Sequence, residues 1–121
     1  MEYTNAKPVR VSGWKARAYA QNGINFTNSN KQLFGRWETP SLYVVYSYGT
    51  HWPLFMWDNG EWWENEDKYS RTTTKHRSQT HPHVDTSKGS RTYLKHMIAN
   101  RINEHRSNLQ MERLQHELLA A

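Results

Sequence analysis

LYVVYSYGTHWPLFMWDNGEWWENEDKYSRTTTKHRSQTHP, residues 42–82, is the stretch on which the fold turns. It holds four of the six tryptophans and four of the seven tyrosines. Leu42 to Tyr48 reads as a strand, because Val and Tyr suit a pleated, half-buried surface. Leu42, Val44, Tyr46 and Tyr48 fall on one face, and Tyr43, Val45 and Ser47 on the other. Both faces are apolar, which puts this strand in the middle of its sheet. Gly49-Thr50 bends the chain. Trp52 to Trp57 is the next strand, with Pro53 at its start, where a missing N–H is tolerated. Asp58-Asn59-Gly60 is a hairpin turn, since Asn-Gly accepts the positive φ angles of a type I′ turn. Glu61-Trp62-Trp63-Glu64 is the return strand. Tyr69 to His76 has two readings: its β-branched threonines suit a strand, and Ser70 or Thr72 could cap a helix that stops at Pro82. The helix is the reading adopted.

Working outward, residues 1–8 form a loose lead-in. Val9 to Val11 is an edge strand. Trp14 to Ala20 (WKARAYA) alternates as a strand does, with a turn of helix as the rival reading. Asn22-Gly23 marks a turn. Leu33 to Trp37 is a further short strand, and 39–41 and 82–90 are loops. Ser90 opens a helix whose apolar stripe is Leu94, Met97, Ile98 and Ile102, extended by Leu109. Met111, Leu114 and Leu118 lie about 150° round from it. One straight helix cannot bury both sets against one surface. Either the chain breaks near 103–108, where Ser107 and Gln110 form a capping box, or the distal face pairs with a second copy. The expected architecture is a single α+β domain. It has a small antiparallel sheet of four or five strands over 9–65, a basic Ser/Thr/His-rich segment over 66–90, and one or two C-terminal α-helices over 91–121.

Leu, Ile, Val and Phe make up only 19 of the 121 residues, under the ~20% at which disorder becomes a concern. A net charge of only +5 argues against disorder, and thirteen Trp and Tyr residues supply the missing core material. Each aromatic side chain buries roughly 150–250 Å². With no cysteine in the chain, disulfides, thiolate metal sites and a Cys nucleophile are excluded, and a reducing cytoplasm suits it. No apolar run approaches the ~20 residues of a membrane span.

Charge is segregated along the chain. Residues 1–37 carry six Lys/Arg against one Glu, and 38–67 carry six acids and no Lys/Arg. Residues 68–106 carry nine Lys/Arg against two acids, together with five of the seven histidines. A basic zone of this density points to an anionic partner. The plainer reading is that it pairs with the acidic block of the same molecule.

Four constellations carry possible chemistry. Lys68, Tyr69, Arg71, Lys75, His76 and Arg77 lie close to Trp62 and Trp63, with Lys88, Arg91 and Lys95 further along. Cations for phosphates beside aromatic faces for stacking make a nucleic-acid recipe, although these aromatics are also needed for the core. His76, His81, His83 and Asp85 are metal-ligand types at usable spacing, but no helical His motif supports them, and solvated loop histidines are the commoner case. Asp58, Glu61, Glu64, Glu66 and Asp67 could include an acid–base pair, with Ser47 or Ser70 as nucleophile. No nucleophile elbow, phosphate loop or dinucleotide fingerprint accompanies them. Trp57, Trp62, Met111, Leu114 and Leu118 are candidates for contact with another protein.

Tyr46-Ser47-Tyr48-Gly49-Thr50 and Lys68-Tyr69-Ser70-x-Thr72-Thr73-Thr74-Lys75-His76 resemble a family of small, uncharacterised proteins of tailed bacteriophages and prophages. That family pairs a YSYxT strand with a KYSxTTxxH segment about twenty residues on. The resemblance spans 25–79 and implies a phage-encoded accessory protein; it implies no reaction. The expected function is non-enzymatic binding of nucleic acid or a host nucleoprotein complex, in the host cytoplasm, with no cofactor and no membrane. The alternatives are inhibition of a host protein through the aromatic and acidic hairpin, and a His-metal-dependent hydrolase.

Overall fold

A computed structural model describes residues 1–120. The strands are β1 (Val9–Arg10), β2 (Phe26–Thr27), β3 (Leu33–Thr39), β4 (Leu42–Ser47), β5 (Pro53–Asp58), β6 (Glu61–Asn65) and β7 (Ser87–Gly89). The α-helices are α1 (Ala16–Gln21), preceded by a 3-10 turn over Gly13–Lys15, α2 (Arg71–Thr80) and α3 (Arg91–Ala120). All seven strands join one sheet in the order β1-β2-β3-β4-β5-β6-β7. β4 lies at its centre, and all six of its residues are buried. The turn between β5 and β6 has positive φ at both Asn59 and Gly60, as a type I′ hairpin requires.

The expectation of a purely antiparallel sheet of four or five strands is overturned: the sheet has seven and is mixed. β2 to β6 are antiparallel neighbours, but β1 pairs parallel with β2 and β7 parallel with β6. Each parallel pair is spanned by a helix, giving β1–α1–β2 at one edge and β6–α2–β7 at the other. β1 and β6 run in the same direction, and both crossovers step the same way along the sheet. Crossovers of one hand therefore put both helices on the same face. That is where they lie. Ala16 and Ala20 pack with Phe26, Tyr43, Val45 and Phe55, and on α2 His76 meets Ser47 of β4. α3 covers the other face, where Leu94 and Ile98 pack against Leu42, Val44, Tyr46 and Met56.

Two further expectations are corrected. Trp14 to Ala20 is helical, not a strand. Its small apolar residues satisfy the helical i, i+4 spacing, so Ala16 and Ala20 are both fully buried while Ala18 and Trp14 face out. The 82–90 loop contains β7, whose residues have little strand propensity. Pairing there is held by side chains: Lys88 sits directly opposite Glu64 and donates to it at 3.0 Å, and Ser87 Oγ donates to Glu61 at 2.6 Å. A side chain at Gly89 would run into Leu94 and Tyr93, so glycine lets α3 pack close to this edge. α3 is continuous, with no break near 103–108. No helix among the described residues is long and apolar enough to cross a membrane.

Candidate functional site

α2 is built from Arg-Thr-Thr-Thr-Lys-His-Arg-Ser-Gln-Thr, a poor helix sequence by propensity. It forms because Ser70 caps it and because Thr73, His76, Gln79 and Thr80 give it a face to bury. Ser70 Oγ caps the first turn, accepting from the Thr73 N–H at 3.1 Å. Thr74, Ser78 and Thr80 donate to the carbonyls four residues back, at 3.0, 3.3 and 2.7 Å, which satisfies groups that otherwise compete with a helix. Arg17 of α1 donates to the carbonyls of Ser78 and His81. A cation at the negative end of the helix dipole is favourable. Gln21 Nε2 adds a bond to the Pro82 carbonyl at 2.9 Å. Gly13 lies directly against the amide end of the Gln79 side chain, which a Cβ there would displace, and the 3-10 turn thereby rests on α2.

The helix has two faces. Thr73, His76, Gln79 and Thr80 are buried. Arg71, Thr74, Lys75 and Ser78, at i, i+3, i+4 and i+7, face out. Lys75 Nζ lies 5.9 Å from the ring centre of Trp14, and Trp14 is 72% exposed. Just before the cap, Tyr69 is 65% exposed, and its ring lies against Trp52 at 4.9 Å between centroids. The Arg91 guanidinium lies 5.3 Å from the ring centre of Trp52. Among the described residues, Lys68, Arg71, Lys75 and Lys95 form no ion pair.

The other basic candidates are occupied. Glu64 lies within 4 Å of Lys88 (3.0 Å), His81 (3.3 Å) and Arg77 (3.8 Å). Burial alone would raise the pKa of Glu64, but hydrogen bonds from Lys88 and Thr86 and the nearby charges of Lys88 and His81 outweigh it and hold the carboxyl below its ordinary value. Arg77 also donates to the Asp67 carbonyl at 2.7 Å. The internal pairing of acidic and basic blocks thus accounts for Arg77 and Lys88 and leaves the outer face of α2 unneutralised. Lys95 is exposed on α3, which covers the opposite face of the sheet.

The residues considered for hydrolysis sit elsewhere in the design. Ser47 Oγ lies 2.8 Å from His76 Nδ1, the beginning of a nucleophile–base pair, but Ser47 has no exposed surface. The contact anchors α2 to β4. Burial and the charge of Lys75 push the His76 imidazole below its ordinary pKa. Ser70 is the helix cap. Asp58 takes Arg101 at 3.0 Å, Glu61 takes Ser87, and Asp67 Oδ2 accepts the Arg91 N–H at the start of α3 at 3.0 Å. Among the described residues no three His, Asp or Glu side chains converge as metal ligands. His76 faces Ser47, His81 faces Glu64 and lies tilted beside His83 at 5.8 Å between centroids, and Asp85 is exposed.

Trp57 and Trp62 of the hairpin are partly buried and pack on the core; Trp57 meets Trp37 edge-on at 5.8 Å. Met111, Leu114 and Leu118 are exposed, as are Leu109 and Leu119. Trp14 was not among the sequence candidates. The signal that locates it is helical phase: once Ala16 and Ala20 are placed inward, Trp14 must point away from the sheet. No family model, curated protein or solved structure matches the chain.

Proposed function

We propose that the chain is a non-enzymatic accessory protein of phage type, acting in the host cytoplasm, that binds nucleic acid or a host nucleoprotein complex through the outer face of α2. The observation that carries this reading is the unpaired Arg71 and Lys75 beside the exposed Trp14. The cations suit phosphate oxygens, and Lys68 and Tyr69 extend the surface past the helix cap. The hydroxyl protons of Thr74 and Ser78 are committed to their own backbone, so charge on this face comes from the long basic side chains. The hairpin supports inhibition of a host protein less well, because Trp57 and Trp62 already serve the core.

The test is binding of a labelled oligonucleotide across a salt series. Affinity falls steeply as salt rises, because each neutralised phosphate releases counterions. Combined Arg71→Glu and Lys75→Glu abolishes binding, while Trp62→Phe leaves it intact. A flat salt response, or full binding by the charge-reversed protein, would sink the proposal.

A second reading concerns self-association. Met111, Leu114 and Leu118 have the 3- and 4-residue spacing of a helix–helix seam on a part of α3 that touches nothing else, and a second copy would supply the matching stripe.

A further inference from the structure

We infer that the ligand of the α2 face is a single-stranded nucleic acid whose unpaired bases stack on Trp14 and Tyr69. This rests on the reading of the face as a nucleic-acid surface and specifies which form it takes. Trp14 is the one tryptophan of the six that is exposed; the other five are buried or half-buried. In a chain so poor in aliphatic residues, leaving that ring in water forgoes core material. Tyr69 likewise is exposed, and it is held as a plate by Trp52 behind it, against which Arg91 also rests. Tyr69 precedes the extended cap Ser70, and Trp14 lies beside Lys75, one turn along the helix from Arg71. Arg71 and Lys75 are exposed on the outer face of α2, available to the backbone of a strand whose bases reach the plates.

A duplex keeps its base faces stacked and presents only their edges. Reading edges takes forked amide or guanidinium donors, and on the outer face of this helix only Arg71 has such a fork, Arg77 and Gln79 being turned inward or engaged. Stacking plates on a basic surface match unpaired bases, which offer both a flat face and a flexible phosphate chain. The aromatic faces discriminate poorly among bases, so the preference is for strandedness over sequence.

The experiment titrates the full chain with a ten-residue oligothymidylate, the matching oligouridylate, a duplex of the same length and inorganic polyphosphate, following tryptophan fluorescence and competition. The single strands quench emission and bind more tightly than the duplex or polyphosphate. Trp14→Ala weakens single-strand binding by about fivefold to a hundredfold, with Trp14→Phe largely restoring it, and leaves polyphosphate binding unchanged. Because Trp14 is exposed, the variant keeps its circular dichroism and melting temperature. Equal binding of duplex and single strand, or a Trp14→Ala protein that binds the single strand normally, overturns stacking and leaves a plain anion surface. Binding of none of the four at low salt overturns the surface itself. DNA and RNA are separated by the thymidylate and uridylate arms.

Discussion

The hydrogen bond between Ser47 and His76 joins α2 to the central strand, and it fixes how the protein answers to acid. His76 stays neutral in the fold, its pKa below the ordinary 6.5 because of burial first and Lys75 second. The unfolded chain therefore takes up that proton at higher pH than the folded one. Stability from this site is complete above about pH 6.5 and declines as pH drops through that value toward the depressed folded pKa. Thermal melts between about pH 8 and pH 5.5 show a falling midpoint, and His76→Gln has a shallower fall; equal slopes would contradict the assignment. Ser47→Ala leaves a buried imidazole nitrogen without its partner and costs about 1–3 kcal/mol in chemical denaturation. Gly35→Ala is harsher than its chemistry suggests. The added methyl meets the Tyr43 hydroxyl and the Phe26 ring inside the core, and overpacking of this kind costs about 1–3 kcal/mol. At this scale the sequence was legible where the signal is local. Of the two caps that the sequence offers, Ser70 and not Thr72 caps α2, and Asn59-Gly60 turns as expected. The partnership of Ser47 with His76 spans 29 residues and has no local signature.

At the scale of elements, α2 and α3 show how far pattern reading goes. The helical reading of the Thr-rich segment holds because the Ser70 cap and the packing of its buried face offset weak propensity. The Ser107–Gln110 capping box goes unused, since no Gly or Pro interrupts the residues around it and a continuous helix loses nothing there. α3 thus runs for 30 residues, about 45 Å. Its first half is held down by Leu94, Ile98 and the Arg101–Asp58 pair, while residues 106–120 are all exposed. A chain ending at Asn103 accordingly melts within a few degrees of the full chain, because the removed half buries only part of His105 and gives up one exposed pair, Arg101–Glu104; a large drop would show that it contributes more. Light scattering of the same two proteins tests pairing through Met111, Leu114 and Leu118. A larger mass for the full chain, lost on truncation, is the expected result, and identical monomer masses would sink the second reading.

At the scale of the whole molecule, the pairing of β5 with β6 follows from the one hairpin that the sequence displays, and the order of the remaining strands and the mixed edges do not. The alternation at 9–11 marks β1 as an edge strand but gives no sign of its parallel pairing, and β7, with three residues, is too short for periodicity to register; both are placed by crossovers and by side chains such as Lys88 on Glu64. Short edge strands also offer little template for unwanted pairing. The candidate surface shows the same division. The basic run at 68–77 stands out in sequence, but which cations are free depends on Glu64 taking Arg77 and Lys88. Glu64→Gln removes that sink, and its effect is readable against pH. The variant is less stable than the parent at neutral pH. The gap closes in acid, as the parent's carboxylate, held below its ordinary pKa, is protonated in its turn. A gap independent of pH would point to packing instead of charge.

Trp14 and Lys75 come from opposite flanks of the sheet, and α1 reaches α2 across some sixty residues of chain, as the bond from Arg17 to the His81 carbonyl shows. Contacts of such sequence separation form late, since a long loop must close first. A partly folded chain therefore carries the basic residues without the tryptophan plate beside them. On the proposed reading of the α2 face, competence to bind then reports completion of folding: a newly made chain would present Trp14 beside Lys75 only after both ends of the sheet have been clasped together.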